Sequence, residues 1–312
     1  MRITAGRKDG NVTGMRVLLT GASGGAGRFV LRELVRAGHQ VVCVDRRPLD
    51  KKLIGENVTV RYADIADPLA MMAHTEGCDA VCHLAAYPTP HTVTTEELLR
   101  VNVIGTQNVL DAAVAHGTQK VVLASSIGAV GLSFPKEPFV VDYLPIDVAH
   151  RRRPEDPYGL SKVMNEESAA TATRRSGITT ICLRPPMILD LWKARERPWM
   201  AEMPKYRLEH RSQDYWGYID QRDFARACRL ALESELTGNH TMFVVADDVI
   251  ADATPRELIE RHYPELLPYV DNVKGSFYDA SQARELIGFE ARYKWRDVWG
   301  GMPEPDLSSA RD

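Results

Sequence analysis

The sequence predicts an α/β fold, a doubly wound parallel sheet carrying a smaller α/β lobe at its C-terminal side. Three observations point there. The first half of the chain alternates short apolar runs with helical patterns, as βαβ units buried on both faces do. The first apolar run ends in the glycine cluster Gly21 to Gly27, which opens a helix. The alternation stops after Arg184-Pro185-Pro186, where a passage rich in Pro, Trp and Arg begins. With 312 residues, 44% hydrophobic and 26% charged, the chain is long enough for a substantial core.

Taken in order, the candidate strands are Arg16-Thr20, Gln40-Val44, Val58-Tyr62, Ala80-Ala85, Lys120-Ala124 and Thr179-Leu183. The clearest helix runs from Thr95 to His116, where Leu98, Val101, Ile104, Val109, Leu110 and Val114 recur near the 3.6 period. Beyond Pro186 a helix is expected over Arg222-Glu233 and a strand over Thr241-Val245. A further helix opens at Thr254-Pro255 with Thr254 as N-cap, and a last one lies around Ser281-Ile287. This divides the chain into a first domain over 15–186 and a second lobe over 187–302. Residues 1–14 and 303–312 read as flexible ends.

A formal net charge of -3 gives no basic footprint for nucleic acid. No apolar run approaches the roughly 18 residues of a membrane span, and the first residues lack the apolar core of a secretion signal. The expectation is a cytoplasmic protein with no membrane or nucleic-acid partner. Cys43, Cys78, Cys82, Cys182 and Cys228 are odd in number and mostly set in apolar runs, so they read as reduced core residues. Cys78 and Cys82 with His74 and His83 have no second half elsewhere, and no metal site is expected.

The chemistry starts in Thr20-Gly21-Ala22-Ser23-Gly24-Gly25-Ala26-Gly27. Glycines between a strand and a helix let the backbone approach a pyrophosphate held at the helix N-terminus. The GxxGxxG spacing departs from the GxGxxG dinucleotide fingerprint. Asp45 ends the second strand, where a carboxylate can accept both ribose hydroxyls and repel a 2′-phosphate, which favours NAD; Arg46 and Arg47 beside it could instead hold the 2′-phosphate of NADP. Further on, Tyr158 and Lys162 stand at i,i+4 in YGLSK, one face of a helix, where an ammonium can stabilise a phenolate. They follow Ser125-Ser126, which end the fifth strand and could bind a substrate oxygen beside the phenol.

From Met15 to Arg296 the chain resembles the extended short-chain dehydrogenases/reductases, the NAD-dependent epimerase/dehydratase family, in the style of its uronate and sugar dehydrogenases. The matching landmarks are TGASGGAG, Asp45, Ala63-Asp64-Ile65, His83-Leu84-Ala85-Ala86, Asn102, Ser125-Ser126, YGLSK and Leu183-Arg184-Pro185-Pro186. The resemblance implies a doubly wound parallel-sheet Rossmann fold with a C-terminal substrate lobe, some of whose strands and helices return to the core. It implies a cofactor site at Gly21, Ser23, Gly24, Gly25, Ala26 and Gly27, with Asp45 and Arg46 at the adenosine ribose and Asp64 and Ile65 at the adenine. Leu84, Ala85, Ala86, Asn102, Tyr158, Lys162 and Pro185 complete that site. By the same resemblance Tyr158 is the acid/base, Lys162 lowers its pKa and holds the nicotinamide ribose, and Ser126 orients the substrate oxygen. A homodimer through the helices Thr95-His116 and Tyr158-Arg175 is also implied.

The second lobe departs from the nucleotide-sugar pattern. Trp216 stands where similar epimerases carry a diphosphate-gripping arginine, and Pro186-Met187 where they carry an asparagine. A small sugar or sugar acid therefore fits better, with Tyr87, Ser125, Ser126, Met187, Arg211 and Trp216 as candidate substrate contacts. Arg211 could pair with a sugar-acid carboxylate. Arg151-Arg152-Arg153 read as a solvated loop. Of Tyr87, Trp192, Trp199, Tyr215 and Trp216, most are expected in core packing although they could wall the cleft. The expected function is NAD-dependent oxidation of a hydroxyl on a small sugar, sugar acid or polyol. The alternatives are a nucleotide-sugar 4-epimerase and a non-catalytic dinucleotide sensor.

Overall fold

A computed structural model describes residues 14–305. The expected flexible ends fall almost wholly outside these residues. Seven strands form one parallel sheet in the order β3-β2-β1-β4-β5-β6-β9. They are β1 (Arg16–Thr20), β2 (Gln40–Asp45), β3 (Val58–Tyr62), β4 (Ala80–His83), β5 (Lys120–Ala124), β6 (Thr179–Arg184) and β9 (Asn239–Phe243). A separate parallel pair joins β7 (Met187–Leu189) to β8 (Tyr218–Asp220). The helices are α1 (Gly25–Arg36), α2 (Pro68–Thr75), α3 (Thr95–Leu99), α4 (Gly105–Ala115), α5 (Pro157–Ser176), α6 (Leu191–Glu196), α7 (Pro198–Ala201) and α8 (Met203–Glu209). They continue with α9 (Gln221–Glu233), α10 (Pro255–His262), α11 (Ser281–Ile287) and α12 (Trp295–Trp299).

The central strands are largely apolar because both faces are covered, whereas the edge strands β3 and β9 carry polar residues such as Arg61 and Asn239. Val17, Leu19, Val41 and Cys43 point into a core shared with α1, α9 and α11. Their neighbours Leu18, Val42 and Val44 point into a core shared with α2, α4 and α5. Of two smaller cores, one gathers Tyr215, Trp216 and Phe277 with Ile127, Leu132 and Ile146, and the other Leu191, Trp192 and Trp295. All five cysteines are buried and unpaired, as expected for reduced core residues. No helix among the described residues is long and apolar enough to cross a membrane.

The segment after Pro186 does not stay apart from the sheet. α9 packs against α1 and β9 extends the sheet beside β6. β9 begins two residues before the expected strand. The long helix expected over Thr95-His116 is interrupted by a π-helical turn, Arg100–Ile104, between α3 and α4. Thr254 caps α10 in a full capping box with Glu257.

The strand order reverses between β1 and β4, both of which carry the chain outward to either side. In such sheets the ligand crevice opens beyond the strand C-termini at this reversal. The residues ending β1, β2, β4 and β5 are therefore brought to one cleft.

Candidate active site

A cavity of about 840 Å³ occupies that crevice. Its floor at one end is the glycine loop. Gly21 has φ +75° and donates its N–H to Val44 O (2.9 Å). A Cβ there would lie 2.7 Å from Ala85 N, and one on Gly27 would lie 2.1 Å from Gly21 O. Only glycine allows the loop, the helix and the β4 end to close this tightly. Gly24 precedes α1 without any side-chain cap, so the first-turn N–H groups face the cleft with no protein partner of that kind. An anionic group fits this cradle.

Asp45 closes the same end. Its carboxylate accepts from Ser23 N (3.0 Å) and Arg47 N (2.9 Å), and it lines the cavity with Gly21, Gly24, Gly25, Ala26 and Gly27. Ser23 does not line it; the residue ties the loop to the end of β2 through Asp45 and through its hydroxyl on Arg47 O (3.0 Å). Asp64, Ile65, Leu84, Ala85 and Ala86 also line the cavity. The glycine cradle, the uncapped helix and the carboxylate beside them fit a dinucleotide.

Arg46 turns back from the loop. Its guanidinium donates to the Tyr87 hydroxyl (2.9 Å) and lies near Asp64 (3.8 Å) and Glu97 (3.9 Å). Tyr87 donates in turn to Glu97 (3.3 Å). These contacts place the Tyr87 side chain at the Asp45 end of the cavity, which it lines. Asn102 is corrected: it is fully buried and does not line the cavity. It accepts from Tyr87 N (2.8 Å) and donates to Tyr87 O (3.0 Å), clamping the backbone that forms the cleft floor. It does so from the π-helical turn, a feature frequent at functional sites.

At the other end, Ser126, Tyr158 and Lys162 line the cavity together. Asp156 caps α5 through Gly159 N (2.9 Å) and so fixes the first turn that carries Tyr158. Gly128 lets the β5 loop pass the phenol, since a Cβ there would meet Tyr158 at 3.1 Å. Phe134 packs edge-on against Tyr158, centroids 5.6 Å apart. Burial pushes the Tyr158 phenol above its ordinary value, opposed by the hydrogen bond with Ser126. This differs from the expected lowering by Lys162. The Lys162 ammonium donates to Ala124 O (2.8 Å) and stands 5.4 Å from the phenol ring centroid. Burial also pulls that ammonium down to about 8.

Ser125 is committed elsewhere: its hydroxyl donates to Glu166 (2.6 Å), which holds Arg184 by two further bonds of 2.8 Å. Pro185 and Met187 line the cleft near Ser126. Trp216 and Arg211 do not. Trp216 is fully buried, its indole N–H on Arg207 O (2.7 Å), because the second lobe uses it as core. Arg211 is exposed and stacks over Tyr263 at 4.2 Å, outside the cavity. Among the other aromatics, Trp192 and Tyr215 are core and Trp199 is exposed. Arg151 and Arg152 pair with acids at the surface, whereas Arg153 is half-buried over Phe139.

The cleft also contains Ser133, Phe134 and Asp214, which sequence reasoning missed. They come from irregular segments with neither periodicity nor motif. A second cavity, about 760 Å³, shares no residue with the first; its Arg152 and Arg184 both pair with Glu166.

The model of the NAD dependent epimerase/dehydratase family matches residues 17–246. The uronate dehydrogenase of Pseudomonas putida is 35% identical over 169 residues, 54% of this chain and 59% of that protein. This chain thus spans less than two thirds of the uronate dehydrogenases it matches. Cinnamoyl-CoA reductase 1 of Petunia hybrida is 27% identical over 271 residues, 82% of this chain and 79% of that protein. The solved structure of MoeE5 in complex with UDP-glucose and NAD is similar at TM-score 0.69 and 25% identity, covering 91% of this chain and 96% of that one.

Proposed function

The chain belongs to the NAD dependent epimerase/dehydratase family, and from that premise we propose that it is an NAD-dependent enzyme that oxidises a hydroxyl of a small sugar, sugar acid or polyol. The observation that carries this reading is the buried Tyr158 phenol, which lines the same cavity as Ser126, Lys162, the glycine cradle and Asp45.

In this reading Gly21, Gly24 and Gly27 receive the pyrophosphate, and Asp45 takes the adenosine ribose hydroxyls and repels a 2′-phosphate. Bound NAD supplies the hydride acceptor. Ser126 holds the substrate oxygen, and the Tyr158 oxygen takes the hydroxyl proton. The Lys162 side chain, beside the phenol, holds the nicotinamide ribose, and below about pH 8, while it is an ammonium, it also favours the phenolate. Phe134 and Met187 wall the site and keep water from the reacting carbon. Because burial raises the phenol, the oxidative direction is favoured at alkaline pH.

Ile104, Leu160 and Met164 are exposed on the adjoining faces of the π-helical turn and α5. They support a homodimer through these helices.

The test is NADH absorbance when the protein and NAD are offered aldoses, uronates and polyols in parallel with nucleotide sugars. Sustained NADH with a free sugar, sugar acid or polyol supports the reading. Conversion of a nucleotide sugar to its epimer without NADH would replace it with the 4-epimerase alternative, and NAD binding without turnover of any substrate would leave the sensor.

A further inference from the structure

We infer that Asp214 is a specificity-determining residue, and that it selects a neutral polyhydroxy substrate such as an aldose over a sugar acid; this rests on the sugar-oxidation reading above.

The cleft end bearing Ser126 and Tyr158 is completed by two segments of irregular chain. Ser133 sits 3.4 Å from Ser126, hydroxyl to hydroxyl, and its carbonyl accepts from Gln213 Nε2 (3.0 Å). That bond draws the next residue, Asp214, to the substrate end, where it lines the cavity.

The turn presenting it is strained and fully buttressed. Tyr215 and Trp216 are consecutive non-glycine residues at φ 48° and φ 54°, a region that bulky side chains rarely adopt. Both are fully buried. Tyr215 donates to Phe139 O (3.0 Å), accepts from Val141 N (3.0 Å) and stacks on Tyr263 with centroids 4.5 Å apart. The Asp214 carbonyl accepts from the Tyr278 hydroxyl (2.8 Å). Such strain persists only where the surroundings impose it, and here its effect is to aim one carboxylate into the cleft.

Within that carboxylate the two oxygens differ. Ser212 (2.6 Å), Trp216 N (3.0 Å) and the Arg207 guanidinium all use Oδ1. Oδ2 receives none of these bonds, and the side chain keeps 19% of its exposure. It is an acceptor ready for a substrate hydroxyl donor.

The basic groups lining the cavity are Arg46 and Arg47, at the Asp45 end, and Lys162, held on Ala124 O. Arg207 is spent on Asp214 and Ser212, and Arg211 lies outside. A substrate carboxylate at this end would face Asp214, and among the described residues the one cation lining this end is Lys162, already held on Ala124 O. A hydroxyl would find a charged acceptor.

The experiment compares initial rates of NADH formation for matched pairs, glucose against glucuronate and galactose against galacturonate, in the wild-type enzyme and Asp214→Asn. Asparagine keeps the Oδ1 acceptor of the turn and replaces Oδ2 by a donor. Wild type is expected to favour the aldose of each pair. The variant is expected to lose roughly 10- to 100-fold in kcat/KM for the aldose, chiefly through KM, the weight of one charge-assisted hydrogen bond. Its uronate-to-aldose ratio should rise, with NAD affinity unchanged. Wild-type preference for the uronates, or an unchanged aldose kcat/KM in a variant that still binds NAD, would overturn the assignment of Asp214 and leave sugar oxidation standing. No NADH from any sugar would overturn both. Should the variant fail to bind NAD, the wild-type ratios alone decide.

Discussion

Replacing Tyr158 by Phe removes one oxygen from the cleft and little else. The ring is 9% exposed and packs on Phe134, so phenylalanine fills the same space and keeps that contact. The variant leaves the Ser126 hydroxyl with Gly128 N (2.9 Å) as a remaining partner, so the lost hydrogen bond should change stability by about 1 kcal/mol. The chemistry loses its proton acceptor, a group worth roughly 10² to 10⁴ in rate. The phenol lies at the opposite end of the cavity from Asp45 and the glycine loop, so NAD affinity should stay within about threefold of wild type, less than 1 kcal/mol. Steady-state NADH production gives kcat, and quenching of protein fluorescence by NAD gives affinity. Turnover within threefold of wild type, with affinity retained, would remove Tyr158 from the mechanism. Loss of NAD binding together with turnover would mean that its oxygen serves the cofactor site or the fold.

Asp45→Asn leaves one oxygen where two accept from Ser23 N and Arg47 N, and removes the charge that repels a 2′-phosphate. The KM for NAD should rise roughly tenfold, the weight of one charged hydrogen bond, and the preference for NAD over NADP should fall. An unchanged cofactor preference would separate Asp45 from the ribose. Burial raises the Asp220 carboxyl from 3.8 to about 6 against the opposing pull of Arg222. Between these values the folded state binds more protons than the unfolded one. The stability contributed is present below about pH 4 and is lost as pH rises through about 6. Two pKa units correspond to about 3 kcal/mol. Wild-type stability relative to Asp220→Asn should therefore fall across pH 4 to 6.5 in urea titrations, and a flat difference would refute the shift. Sedimentation should show a dimer that Leu160→Arg dissociates, because it buries a charge on the exposed α5 face; an unchanged mass would move the interface elsewhere.

The parallel sheet was legible because its strands are buried on both faces and read as continuous apolar runs, such as VVCV in β2. Motif glycines and the Tyr158-Lys162 pair were legible because their spacing is dictated by backbone geometry. The second lobe was not. Its β7 and β8 are three residues each, and α6 to α8 are short pieces divided by Pro198 and Pro204, too brief for any period to emerge. Asp214 shows no signal because its place depends on a left-handed pair of aromatics, a conformation no propensity scale would assign to Tyr215 and Trp216. The same reason misplaced Trp216: a large aromatic near the cleft in sequence reads alike whether it walls a ligand or anchors a turn.

The two ends of the cleft are built by opposite means. At the cofactor end the backbone does the positioning, through side chains that are missing at Gly21 and Gly27. At the reacting end a buried polar network does it. Glu166 on α5 holds Ser125 at the end of β5 and Arg184 at the end of β6, while Lys162, one turn earlier on α5, holds Ala124 O. Four bonds thus tie one helix to two adjacent strand ends, and Ser126 and Tyr158 sit between those ties. An apolar interface would let α5 slide or rotate by a fraction of an ångström at little cost. Directional bonds to buried charges do not, since removing one partner of such a pair costs about 3 to 5 kcal/mol. The registry of the phenol with the Ser126 hydroxyl is therefore set in part by Glu166 and Arg184, which do not line the cavity.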